Sequence, residues 1–189
     1  MKTICFFNST QAWGGGEKWH FETCMHLHGL GHSVLVIAHL KSELYKRVSE
    51  TTIHCLGINV SNLSFLNPFK INTVAGILKS NNVGTIIMNL SRDLKLAGLA
   101  SKRAGVRRII YRRGSAIPIK DSFLNRYYFK NIVTEVLANS FATKSTILAN
   151  NAHLFPEDSI KVIYNGIEIH RFLSQQKRLV YEKKDADEI

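Results

Sequence analysis

The 189-residue sequence is short of long apolar runs, of paired cysteines and of acidic residues. No stretch approaches the ~20 consecutive apolar residues that cross a bilayer as a helix. The opening run, MKTICFFNST, is too short for the apolar core of a secretory leader and reads as a strand. The expectation is therefore a cytoplasmic protein. Cys5, Cys24 and Cys55 are odd in number and widely spaced, which excludes the C-x-x-C pattern of zinc and redox sites. Three buried free thiols in a reducing compartment follow as the simplest expectation. Acids number 14 against 25 Lys and Arg, leaving a net charge of +11. Such a balance suits phosphate-rich partners: nucleic acid, an anionic membrane surface or a phosphorylated small molecule. A basic but inert surface has the same composition.

What is present is an alternation. Short apolar runs at Ile4–Phe7, 33–38, 53–56, 85–88, 108–111, 133–138 and 161–164 read as strands. Between them, helical patterns cover 17–30, 42–49, 67–79, 93–104, 122–131 and 140–150. On the first, Phe21, Cys24, Met25 and His28 share a face at helical spacing. Ser91 and Ser140 are candidate caps, and Asp93 a candidate helix-start residue. Strands alternating with helices of this length predict βαβ units and a doubly wound, Rossmann-like parallel sheet. Ligands of such sheets bind beyond the C-terminal strand ends. That directs attention to residues 8–16, 89–93, 112–121 and 139–140.

The first of these contains Gly14-Gly15-Gly16-Glu17. It is not a P-loop, because Glu17 follows Gly16 and no Lys-Ser/Thr pair stands at the required spacing. Nor is it a dinucleotide fingerprint: Gly14 and Gly16 fit the first two glycines, but Trp19 stands where the third must be small. A strand, a bare loop and a helix N-terminus remain, which suits an approaching anion or sugar. A tight turn with Glu17 set against the helix dipole is the other reading, and the residues alone leave both open.

Three stretches carry a resemblance. GGGEKWHFETCMHLHGLGHSVLVI, VLANSFATKSTIL and IKVIYNGIEIHRF resemble, in order and spacing, the N-terminal domain of family-4 glycosyltransferases of the GT-B fold, from Met1 to about Phe172. The resemblance implies an acceptor-binding domain over 1–172, with 173–189 a linker or the start of an absent donor-binding domain. It implies a nucleotide-sugar donor, a glycan or lipid-linked acceptor, retention of configuration, and neither cofactor nor metal. The setting it implies is bacterial polysaccharide or lipopolysaccharide assembly, with this chain alone inactive. The alternative is a non-catalytic single-domain subunit that binds a phosphorylated glycan or recruits a partner transferase.

By resemblance, Gly14, Gly15, Gly16 and Glu17 approach the donor diphosphate and acceptor. Arg112, Arg113, Gly114 and Ser115 end a strand where the family has His-Gly or His-Asp. Arg113 stands at the place of that His and is the candidate catalytic residue, with Arg112, Gly114 and Ser115 as substrate contacts. Asn89 and Arg92 follow the preceding strand and are further cleft candidates. His20 could face the cleft, and Asn165-Gly166 reads as an interdomain turn. The segment 102–130 holds nine basic side chains against one acid, Asp121, interleaved with Phe123, Tyr127, Tyr128 and Phe129. That composition suits the inner face of a membrane. No nucleic-acid recognition motif accompanies it, so no nucleic-acid partner is expected.

Overall fold

The computed structural model describes residues 2–166. Among these residues seven strands form one sheet: β1 (Thr3–Asn8), β2 (Val34–Ala38), β3 (His54–Gly57), β4 (Val83–Met88), β5 (Arg108–Arg113), β6 (Glu135–Ala138) and β7 (Ile160–Val162). Their order is β3-β2-β1-β4-β5-β6-β7 and every pairing is parallel. The expected doubly wound sheet is therefore present, with its switch between β1 and β4.

Six helices connect the strands: α1 (Gly15–Gly29), α2 (Glu43–Ser49), α3 (Pro68–Ser80), α4 (Ser91–Ala104), α5 (Phe123–Asn131) and α6 (Phe141–Leu148). Their starts follow local chemistry. Side-chain oxygens of Ser42, Asn67, Ser122 and Ser140 accept from backbone N–H groups three residues on, which satisfies donors that lack an intrahelical partner. Pro68 occupies the first turn of α3, where its missing N–H does no harm. Gly105 ends α4 in the left-handed conformation, φ 73°.

Two apolar clusters divide the helices between the faces. Cys24, Leu44 and Val48 of α1 and α2 pack with Phe6, Val34, Val36, Ile87 and Ile110. Residues of α3 to α6, among them Leu78, Leu96, Tyr128 and Ile147, pack with Cys5, Phe7, Leu35, Ile86 and Tyr111. Strand alternation sends neighbouring residues to opposite clusters. Both central strands, β1 and β4, are buried on two faces and read as nearly continuous apolar runs. Across the end of the sheet, Glu135 takes both Arg108 (2.6 and 2.9 Å) and Lys161 (3.5 Å).

Several boundaries differ from expectation. α1 starts at Gly15, so two of the three glycines are helical rather than loop. Its buried residues are Glu17, His20 and Cys24, whereas Met25 is exposed. α4 begins at Ser91 with Leu90 in the capping position, so Ser91 is no cap. Cys55 is only half-buried, unlike Cys5 and Cys24. Short 3-10 turns at Ser64–Leu66 and Glu157–Ser159 had no periodicity to announce them. The expected boundary at 172 and the tail 173–189 lie outside the described residues. No helix among the described residues is long and apolar enough to cross a membrane.

Candidate functional site

The C-terminal ends of β1, β4 and β5 converge with the N-termini of α1 and α4. β1 ends in Asn8, fully buried, whose side chain is the hub. Its Nδ2 donates to Glu17 Oε1 at 2.9 Å and to Asn89 Oδ1 at 3.2 Å, and its Oδ1 accepts from Thr10 N at 3.0 Å. Glu17, at the third position of α1, reaches back with Oε2 to the Gly14 N–H at 3.0 Å. Both carboxylate oxygens are thus committed to holding the first turn of α1 against β1, one half of a capping box.

The three glycines have three different surroundings. A Cβ on Gly16 would lie 2.5 Å from Asn89 Nδ2, and one on Gly14 would lie 3.3 Å from Glu17 Oε2. Gly15 meets nothing within 4 Å. Gly16 is therefore where Asn89 closes on the turn, and Gly15 presents a bare backbone to open space. In this turn the N–H groups of Gly15, Gly16 and Glu17 have no acceptor within the helix.

A second network lies beside it. Asp93, fully buried, accepts from Ser9 N at 3.0 Å and from Ser9 Oγ. Arg92 completes it, donating from Nε to Ser9 Oγ at 2.9 Å and from Nη2 to Ser9 O at 3.0 Å. Burial pushes the Asp93 carboxyl up to about 7, against the pull of the Ser9 bonds and the Arg92 charge. Asp93 is thus more than a helix-start residue, since it fixes the turn after β1.

Beneath α1, His20 is fully buried, its Nδ1 3.0 Å from Gly16 O. Phe6 and Trp19 meet its ring edge-on at 5.7 and 5.4 Å. Burial lowers its pKa to about 4, so the imidazole is neutral. His20 faces the core rather than the cleft.

Strand alternation separates the two arginines of β5. Arg112 points toward α1, where its guanidinium lies over the Trp19 ring. Arg113 points the other way. It is half-buried, within electrostatic reach of Tyr111, and donates from Nη2 to Ile117 O at 2.5 Å. Asn139 anchors the following loop through Gly114 O (3.0 Å) and Arg113 O (3.2 Å). Gly114 and Ser115 are exposed.

The structure therefore brings Gly14–Glu17, Asn89 and Arg92 together through Asn8 and Ser9. Arg112 joins them through Trp19, and Arg113, Gly114 and Ser115 stand on the neighbouring strand end. Asn8, Ser9, Asp93 and Trp19 were not among the expected site residues. The available signal was the polar run Asn8-Ser9-Thr10, which interrupts a buried apolar strand at its C-terminal end. A cavity of about 850 Å³, lined by Arg126, Phe129, Lys130, His153 and Phe155, opens elsewhere. Thr134 and Ser159 on its wall lead into β6 and β7, so it lies toward the opposite end of those strands.

A family model described as Glycosyltransferase Family 4 matches residues 13–171. No curated protein sequence matches the chain significantly. Among solved structures, a glycosyltransferase from Rickettsia africae superimposes with a TM-score of 0.73 at 24% identity, covering 90% of this chain and 45% of that one. Alr3699/HepE from Anabaena, solved with UDP-glucose, gives 0.70 at 19% identity, covering 94% and 50%. The lipopolysaccharide outer core galactosyltransferase WaaB gives 0.67 at 17%, covering 89% and 47%. The chain spans about half the length of these structures, and its sheet is that of a GT-B N-terminal domain.

Proposed function

Because the chain belongs to glycosyltransferase family 4, we propose that it is the acceptor-side half of a retaining transferase. The whole protein would move a hexose from a nucleotide-sugar donor to a glycan or lipid-linked acceptor. The observation that carries this reading is the first turn of α1. It stands at the C-terminal edge of the sheet, held from behind by Asn8 and Glu17, with Gly15 bare to open space. A phosphate or sugar presented by a second domain meets backbone there rather than side chain, at the positive end of a helix. Stabilisation of the leaving diphosphate is then electrostatic, supplied mostly by the second domain. On this side Gly14, Gly15 and Gly16 form the bare wall, with Glu17 and Asn89 holding it. Arg113, on the next strand end with Gly114 and Ser115, is the cationic candidate for the reacting sugar. The similarity to WaaB supports a lipopolysaccharide or polysaccharide setting.

An anionic membrane surface fits the same arrangement. Leu63 and Leu66 precede α3 and Phe69 lies in its first turn, while Ile117 precedes α5 and Phe123 opens it; all five are exposed. Both groups follow strand C-terminal ends on the α3–α6 face, with Lys70 and Lys120 beside them in sequence. Exposed apolar residues among cations suit an interface of lipid headgroups.

The deciding experiment is a donor-and-acceptor screen on the protein carrying its second domain. Consumption of one nucleotide-sugar with release of the nucleoside diphosphate is expected. If no donor is consumed with any acceptor or water, the proposal fails and the binding-subunit alternative takes its place.

A further inference from the structure

Arg112 is only 4% exposed, and its guanidinium is shared among three separate parts of the chain. It lies over the Trp19 ring of α1, 4.1 Å from the centroid. Its Nη2 donates to Asn165 Oδ1 at 2.9 Å. Its Nη1 fills the room a side chain at Gly114 would need, since a Cβ there would lie 2.9 Å away. Burial lowers its pKa to about 10, with the Glu17 charge acting in the opposite sense. Asn165 stands just past β7, where the chain leaves the sheet. The last backbone tie before it is Ile163 N to Ala138 O at 2.9 Å. A planar cation with donors at its edge can stack on an indole and bond an amide at the same time.

We infer that Arg112 is a positioning residue that pins the segment 163–166, just past β7, to the helix bearing the glycine turn. This goes beyond a substrate contact for Arg112: its donors face inward, and its effect on any ligand passes through α1 and the exit segment. The link to turnover rests on the transferase reading. The pinning itself is a property of this chain and is testable without donor or acceptor.

The chain has two tryptophans, Trp13 and Trp19, so Trp13→Phe leaves Trp19 as the sole reporter. Asn165 is exposed, and among the described residues Arg112 is what links it to Trp19. In that background Asn165→Ala is expected to shift Trp19 emission and to speed amide exchange at Ile163, whose N–H bonds Ala138 O, at least tenfold. Asn165→Asp, which pairs with the cation, should keep both signals near wild type. Arg112→Lys should not rescue, and in Arg112→Met the Asn165→Ala change should have no further effect. Should Arg112→Met fail to fold, the two Asn165 variants carry the test alone. Unchanged Trp19 emission in Asn165→Ala, or an equal shift in Arg112→Met, overturns the inference. A positive result beside a failed donor screen keeps the pinning and removes the transferase. A negative result beside a successful screen does the reverse.

Discussion

Replacing Gly16 and Gly15 by alanine should have unequal effects on stability, although they are adjacent residues of one helical turn. Alanine in place of glycine favours a helix by up to about 1 kcal/mol, less in the first turn. At Gly15 the added methyl meets nothing within 4 Å, so Gly15→Ala keeps a gain of about 0.5 kcal/mol. At Gly16 the methyl would lie 2.5 Å from Asn89 Nδ2. Either the turn is overpacked, at about 1–3 kcal/mol, or Asn89 rotates away and gives up its bond from Asn8, at about 1 kcal/mol. The cheaper route decides, so Gly16→Ala should be neutral to about 1 kcal/mol destabilised. The gap between the variants is then about 0.5–1.5 kcal/mol, or roughly 1–6 °C in Tm for a chain of this size. Thermal unfolding followed by circular dichroism measures it. The control is Asn89→Ala, which removes the obstructing amide: in that background the two alanines should become equivalent. Equal Tm values for the single variants, or a gap that survives Asn89→Ala, would refute the assignment of Gly16 to Asn89. In the two-domain protein, Gly15→Val should cut turnover with the fold intact, since of the three glycines it is the one that borders open space.

Three further expectations concern the rest of the site and its surroundings. His20 stays neutral in the folded chain down to about pH 4, whereas the unfolded chain takes up its proton near 6.5. Its contribution is complete above pH 6.5 and is lost as pH falls to 4, by up to about 3 kcal/mol. Asp93 acts in the opposite sense over part of that range, because its raised pKa favours the folded state at lower pH. The quantity to measure by urea titration is therefore the gap between wild type and His20→Leu, which should narrow between pH 7 and 4; a constant gap contradicts the argument. Asn8→Ala removes a buried charge-assisted bond and leaves Glu17 underpaired, so it should destabilise by about 2–3 kcal/mol. A loss under about 0.5 kcal/mol would show that the hub is dispensable. Phe69→Asp and Phe123→Asp should each weaken sedimentation with anionic vesicles about tenfold at physiological salt. Absence of binding by the wild type itself would remove the membrane surface.

The sheet and its six helices were legible in the sequence because each buried strand is an apolar run and each helix has its own stop or cap. Polar burial was not legible. Hydrophobic periodicity placed Phe21, Cys24, Met25 and His28 on one face of α1, yet Glu17 and His20 are inside with Cys24 and Met25 is exposed. Glu17 is buried because Asn8 and Gly14 satisfy its carboxylate, and no pattern over one helix contains Asn8. The same holds for Asp93: its spacing suggested a helix start, and its partner, Ser9, lies 84 residues away. The glycine triplet was singled out in the sequence as a place that needs bare backbone, and the structure gives its members different surroundings. Its sequence could not tell that Gly16 makes room for Asn89 while Gly15 faces open space. Arg112 and Arg113 look interchangeable in a string and point to opposite faces of a strand.

The sheet is longest in its middle and shortest at its margins. β1 and β4 have six residues each, whereas β3 has four and β7 three. A short margin offers a neighbouring molecule little backbone to pair with, and Lys161 with its Glu135 rung makes the β7 side a charged one. Self-association by strand addition is thereby discouraged at both edges. Opening should begin there and move inward, reaching the β1–β4 seam under the glycine turn last.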